Sequence, residues 1–125
     1  MVNDQIGCIT LASNLSIICW KLIEIHNNGV KLPKIMHYSE SGICTWFDIT
    51  KTIYEYALEK KIFSNNLRII PISSESLNLP ARRPNFSLLN SQKTYDLVDF
   101  NPPHWRKSID ILFNSLDYQL LKKLK

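Results

Sequence analysis

The chain predicts a small α/β fold with too few strands to complete a doubly wound sheet. Three observations carry this. Three segments repeat apolar residues at helical spacing. Between the first two lies a short strand-like segment, and after the second a β-branched-rich run. The order that results is helix, strand, helix, strand, loop, helix, helix.

Residues 1–11 read as an extended lead-in and loop. The first helix starts near Ser13 or Asn14, either of which can cap it. Leu15, Ile18, Cys19, Leu22 and Ile25 form its inward stripe. Asn27-Asn28-Gly29 ends it, Gly29 being suited to a left-handed terminal residue. Lys34 to Tyr38 reads as a strand. Thr45 opens the clearest helix, with Asp48 three residues on as its capping-box partner and the stripe Trp46, Ile49, Ile53, Tyr56 and Ala57. Leu67 to Ile72 reads as a strand stopped by Ser73 and Ser74. Residues 75–85 form a proline-punctuated loop, Phe86 to Leu89 a short strand, and Ser91 caps a short helix through Tyr95. Pro103 opens the last helix, whose stripe is Trp105, Ile109, Leu112 and Leu116.

The bulk numbers fit one compact domain: 125 residues, 45% hydrophobic and 21% charged. No apolar run approaches the roughly 20 residues of a membrane span. Met1-Val2-Asn3-Asp4-Gln5 lacks the basic cluster of a signal peptide, so a cytoplasmic protein is the default expectation. Cys8, Cys19 and Cys44 show no metal spacing and read as reduced, mostly packed thiols. His26, His37 and His104 show none either, so no metal is expected.

The net charge is +4, and all of the excess falls in residues 63–125, with nine basic and five acidic side chains. Three of those positives belong to a basic tail, residues 118–125, which reads as a helix end beyond the domain of residues 1–117. Only Arg82 and Arg83 are adjacent, uncompensated and inside a well-punctuated loop. Such a charge suits a small anionic ligand better than a nucleic acid.

Four segments carry a family resemblance. They are Asp4-Gln5-Ile6-Gly7-Cys8-Ile9-Thr10, like D-Q-x-G-x-P-T; Met36-His37-Tyr38 through Gly42 and then Thr45-Trp46-Phe47-Asp48; Pro80-Ala81-Arg82-Arg83-Pro84-Asn85-Phe86-Ser87-Leu88-Leu89-Asn90, like P-A-R-R-P-x-x-S-x-L-D/N; and Pro103-His104-Trp105. In this order they resemble the C-terminal region of dTDP-4-dehydrorhamnose reductases, in the extended short-chain dehydrogenase/reductase superfamily. The resemblance implies a small C-terminal substrate-binding domain without the N-terminal Rossmann domain. It implies that the complete enzyme reduces dTDP-4-dehydro-L-rhamnose to dTDP-L-rhamnose with NADPH, for dTDP-rhamnose and surface polysaccharide. One departure is Ile9, where the family has proline, which would loosen the loop after Gln5.

This stretch has no glycine-rich loop for a dinucleotide, because Gly7, Gly29 and Gly42 lie far apart. No cofactor is therefore expected on this chain. The family's catalytic tyrosine is followed four residues later by a lysine. Tyr56 with Lys60 and Tyr118 with Lys122 have that spacing, but such pairs arise readily on helices, and both read as decoys. The expected partners are a dTDP-sugar and a separate chain carrying the Rossmann half. The rival readings are a non-catalytic sugar-nucleotide-binding or regulatory module and the relic of a broken reductase gene.

For the site, Arg82 and Arg83 offer guanidinium forks to a diphosphate between two prolines that stiffen the backbone. The resemblance favours Arg83 as the one that meets it. Against this stands an exposed solvated pair. Asp4, Gln5 and Gly7 either hydrogen-bond sugar hydroxyls or form a polar turn in which Gly7 supplies an unusual backbone angle. Trp46 either stacks on a base or sugar or belongs to the core. Asn85 and Ser87 either reach the ligand or serve the turn.

Overall fold

The computed structural model describes residues 1–62, 66–77, 80–81 and 83–116. The chain runs β1 (Ile6–Gly7), α1 (Ala12–Asn27), β2 (Cys44–Thr45), α2 (Trp46–Glu59), a 3₁₀ turn (Ser74–Leu77), α3 (Gln92–Val98) and α4 (Trp105–Ser115). The predicted α/β class with few strands is what forms.

The helices bury two separate clusters. Between α2 and α4 lie Cys44, Ala57, Trp105, Ile109 and Phe113, with Cys8, Ile9, Ile49 and Tyr56 packed against them. Between α1 and α3 lie Ile18, Tyr38 and Val98, with Leu22, Ile25, Tyr95 and Phe100 around them. Burial of apolar area of this kind is the main favourable term holding helices together.

β1 and β2 lie beside the first cluster, to which β2 contributes Cys44. They pair antiparallel, Ile6 opposite Thr45 and Gly7 opposite Cys44. On its other side Ile6 bridges Phe86 in parallel, exchanging bonds through Ile6 N–H to the Asn85 carbonyl (2.7 Å) and Ser87 N–H to the Ile6 carbonyl (2.9 Å). Val2 bridges Ile72, and Phe47 N–H donates to the Val2 carbonyl at 2.9 Å. The N-terminal residues are thus clamped between the loop after α2 and the start of α2 itself.

α2 forms where the local chemistry predicts. The Thr45 hydroxyl accepts the Asp48 N–H at 3.1 Å and the Asp48 carboxylate accepts the Thr45 N–H at 2.9 Å, a complete capping box. Gly29 is left-handed at the end of α1, with φ +85°.

Several expectations fail. α1 begins at Ala12, and neither Ser13 nor Asn14 caps it. Residues 34–38 and 67–72 form no regular strand, and Phe86 makes one bridge only. A β-branched run becomes a strand only if a neighbour supplies a ladder, and here Ile72 and Phe86 each find a single bridge. α3 runs on to Val98. α4 opens at Trp105 with His104 as its cap, while the Pro103 carbonyl is taken by the Ser41 N–H. On α4 Phe113 replaces Leu112 as the buried residue, and on α1 Leu15 and Cys19 face solvent. No described helix is long and apolar enough to cross a membrane. The basic tail lies outside the described residues.

Candidate functional site

The loop from Gln5 to Thr10, the start of α2 and the Arg83–Ser87 segment surround a cavity of about 480 Å³. That is within the range of small-molecule sites. Its walls include Gln5, Gly7, Cys8, Trp46, Arg83 and Ser87. A second hollow of about 360 Å³ adjoins it, lined also by Met1, Val2 and Ile72. Gln5, Trp46 and Arg83 line both, so these three side chains form the shared wall.

Each is put there by local structure. Trp46 is the first residue of α2, immediately after its cap, and remains 47% exposed. The core reading of Trp46 is therefore overturned: its ring fronts the hollows rather than the α2–α4 cluster. Trp105 is core as expected, 3% exposed with its indole N–H on the Ile43 carbonyl at 3.1 Å. Arg83 is exposed at the rim. Among the described residues Lys107–Asp110 is the ion pair found, so no described carboxylate neutralises Arg83. The wall thus presents a guanidinium fork, an aromatic face and a carboxamide.

Gly7 lines the cavity, but its backbone is not left-handed, so the unusual-angle reading fails. Its lack of a side chain matters for closeness: a Cβ there would lie 3.0 Å from the Ser87 hydroxyl. Ser87 itself points its hydroxyl to the Ile6 carbonyl at 3.3 Å while lining the cavity. Asn85 is exposed and contributes its carbonyl to Ile6; its side chain is not part of the wall. Arg82 lies outside the described residues.

Asp4 stands behind the wall. Its carboxylate accepts the Ser74 N–H at 2.8 Å and the Ser74 hydroxyl at 2.6 Å. Those two bonds hold its carboxyl below the ordinary value. The Gln5 side-chain amide donates to the same Ser74 hydroxyl at 2.9 Å. Ser74 was visible in the sequence only as the end of an apolar run, and nothing local marked it as support for the loop 70 positions earlier.

Cys8 and Cys44 also line the cavity and were read only as packed thiols. Burial and the neighbouring Cys44 push the Cys8 thiol up to about 11, so it stays protonated at neutral pH. Ile9 is half-buried against the α2–α4 cluster and its carbonyl holds the Glu40 N–H at 3.0 Å, so the loop is anchored there rather than loosened. The Tyr56/Lys60 pair is dispersed into structure. Tyr56 stacks on Phe113 with ring centres 5.6 Å apart, and the Lys60 ammonium donates to the Asn114 carbonyl oxygen at 2.7 Å. Tyr118 and Lys122 lie outside the described residues. Among the described residues no three His, Cys, Asp or Glu side chains gather as a metal site.

Known proteins resemble this chain in sequence and in fold. The profile of the RmlD substrate binding domain matches residues 1–118. The dTDP-4-dehydrorhamnose reductase of Escherichia coli K12 is 29% identical over 118 residues, a match covering 93% of this chain and 39% of that protein. The spore coat polysaccharide biosynthesis protein SpsK of Bacillus subtilis is 31% identical over 110 residues, covering 87% of this chain and 34% of that protein. The structure of the Bacillus anthracis dTDP-4-dehydrorhamnose reductase in complex with NADP superposes with a TM-score of 0.76 at 28% identity, covering 92% of this chain and 37% of that one. The Yersinia enterocolitica dTDP-4-dehydrorhamnose reductase gives 0.66 at 27% identity, covering 90% of this chain and 36% of that one. The chain spans somewhat more than a third of the length of the relatives it matches.

Proposed function

This chain belongs to the RmlD substrate binding domain family and corresponds to the C-terminal portion of dTDP-4-dehydrorhamnose reductases; on that footing we propose that it supplies the grip on the dTDP-sugar in such an enzyme. The whole reaction would reduce dTDP-4-dehydro-L-rhamnose to dTDP-L-rhamnose at the expense of NADPH. The observation that carries the reading is the shared wall of Gln5, Trp46 and Arg83 between two adjoining hollows.

Each member of that wall suits one part of a sugar nucleotide. Arg83 can give two parallel charge-assisted hydrogen bonds to diphosphate oxygens, and Pro84 beside it limits the backbone freedom lost on binding. Trp46 offers a flat apolar face to a base or sugar ring. Gln5 offers hydrogen bonds to a hydroxyl or a base edge, and Ser87 a hydroxyl at the cavity wall. Asp4 has no direct part in the grip, and Asn85 acts through its backbone.

A dinucleotide is a different matter. Its pyrophosphate needs clustered glycines at a strand-to-helix turn. Here Gly7 lies in β1, Gly29 ends α1 and Gly42 precedes β2. The residues do not fit that group, and no step of hydride transfer is assigned to them. The cofactor and the acid–base pair belong to a Rossmann half supplied as a further segment or a separate chain.

The test is thermal denaturation of the 125-residue chain with and without dTDP. We expect millimolar dTDP to raise the melting temperature and Arg83→Ala to abolish the rise. No rise for the wild-type chain would sink the reading. NADPH-dependent turnover of the ketosugar by the chain alone, lost in Tyr56→Phe, would overturn its restriction to binding.

A further inference from the structure

The three-residue relay behind the wall determines which end of the Gln5 side chain is free. Asp4 is an ionised carboxylate and can only accept. The Ser74 hydroxyl has one proton, and at 2.6 Å from Asp4 Oδ1 that proton is committed to the carboxylate; the Ser74 N–H holds the other oxygen at 2.8 Å. What remains on the Ser74 oxygen is acceptor capacity. Gln5, 2.9 Å away, must therefore turn its NH₂ group toward Ser74. Turned the other way, two acceptors would face each other.

With one Nε2 proton on Ser74, the amide is oriented so that its carbonyl oxygen faces away from Ser74, and that oxygen is the acceptor the side chain offers a ligand. Gln5 lines both hollows. Among the described residues no hydrogen bond to Gln5 Oε1 is formed, so the oxygen is available there. Arg83 and the indole of Trp46 can only donate. Gln5 is thus the acceptor in a wall whose other two members are donors.

We propose that Gln5 is a specificity-determining residue that accepts a hydrogen bond from an N–H or O–H group of the ligand, and that Ser74, itself held by Asp4, is the positioning residue that sets this polarity. This rests on the reading of the cavity as a sugar-nucleotide site and deepens it. Two sources share the donor chemistry: the N3–H of a pyrimidine base and a hydroxyl of the hexose. A ligand offering only acceptors at that point leaves Gln5 facing a second acceptor, which is how a buried polar group discriminates.

Calorimetric titration of the 125-residue chain with dTDP, N3-methyl-dTDP and dTDP-glucose tests this. If the base is read, the wild type binds dTDP about five- to tenfold more tightly than its N3-methyl derivative; if the hexose is read, dTDP-glucose exceeds dTDP by a similar factor. Gln5→Met, which keeps the side chain's length without the amide, is expected to erase that preference. Ser74→Ala is expected to weaken the same preference, and Ser74→Thr, which keeps the hydroxyl, to restore it. Gln5→Met carries the test by itself if Ser74→Ala fails to fold. Equal binding of all three probes by the wild type, or a preference that survives Gln5→Met, overturns the proposal while leaving the site reading intact. Binding of none of the three by the wild type overturns both.

Discussion

Glu40 Oε1 accepts the Leu11 N–H at 3.1 Å, so the N-terminus of α1 is capped by a carboxylate 29 positions further along the chain. The same carboxylate takes the Asn14 side-chain amide at 3.1 Å and the Tyr38 hydroxyl at 3.2 Å, and Glu40 is 2% exposed. Asn14, which looks like a cap in the sequence, is instead a donor to the group that replaces it. A negative charge at this position also complements the helix dipole.

Glu40→Ala is therefore expected to destabilise the fold by about 3 kcal/mol, because it leaves three donors without their acceptor in a buried site. Glu40→Gln, which keeps one acceptor oxygen, should cost less. Urea denaturation followed by circular dichroism measures both. A change under about 0.5 kcal/mol for the alanine variant would refute the capping role.

Gly42 carries a second constraint. Its φ is +92°, and a Cβ there would lie 2.6 Å from His104 Nε2 and 2.9 Å from Trp105 Cδ1. Gly42→Ala combines a disfavoured backbone with overpacking where Ser41 bridges His104. We expect a loss of roughly 2–4 kcal/mol by the same denaturation assay.

Trp46 should separate binding from stability. Its ring is half-exposed, so Trp46→Ala is expected to change stability by less than about 1 kcal/mol. Loss of a stacking face should weaken dTDP binding at least about fivefold, since such stacking contributes roughly 1–3 kcal/mol per base. Calorimetry on a variant shown to melt like the wild type decides this, and unaltered affinity would remove Trp46 from the site.

Asp4 predicts an acid limb. Its carboxyl lies below the ordinary 3.8 because Ser74 bonds the ionised form. On lowering the pH the unfolded chain takes up the proton first, so the tie is fully present above about pH 4 and is lost as the pH falls through the depressed folded value. Urea midpoints between about pH 5 and pH 2.5 should fall less steeply for Asp4→Asn than for the wild type. Equal slopes would show that the Asp4–Ser74 bonds do not contribute.

The cysteines predict an alkaline limb and a labelling order. Cys8 ionises at about 11 in the fold against an ordinary 9.0. Between those values the unfolded thiol releases its proton while the folded one keeps it, so stability falls as the pH rises through that window. At pH 8 iodoacetamide should modify exposed Cys19 well before Cys8 and buried Cys44, as read by peptide mass spectrometry. Fast modification of Cys8 would contradict its burial.

What the sequence alone determined is what depends on neighbours within a few positions. Thr45 and Asp48 meet three residues apart on one helical turn, Gly29 needs only its own backbone freedom, and Ile49, Tyr56, Ala57, Trp105 and Ile109 pack into one cluster at helical spacing, while the stripe residues Ile53 and Leu112 face solvent. The ordered motifs around Gln5, Trp46, Arg83 and Pro103 identified the family for the same reason: they are strings. The tertiary structure alone decided what depends on partners far away in the chain. The segments at 34–38 and 67–72 have strand-like composition, but the first finds no ladder and the second only a bridge at Ile72. Asn14 lost the cap to Glu40. Trp46 lies on an apolar stripe, yet its place at the first position of α2 turns it to the cavity. Ser74 and Asp4 became support for Gln5 across 70 positions. Local propensities are weak, of order 1 kcal/mol, and a buried carboxylate or a missing strand partner outweighs them.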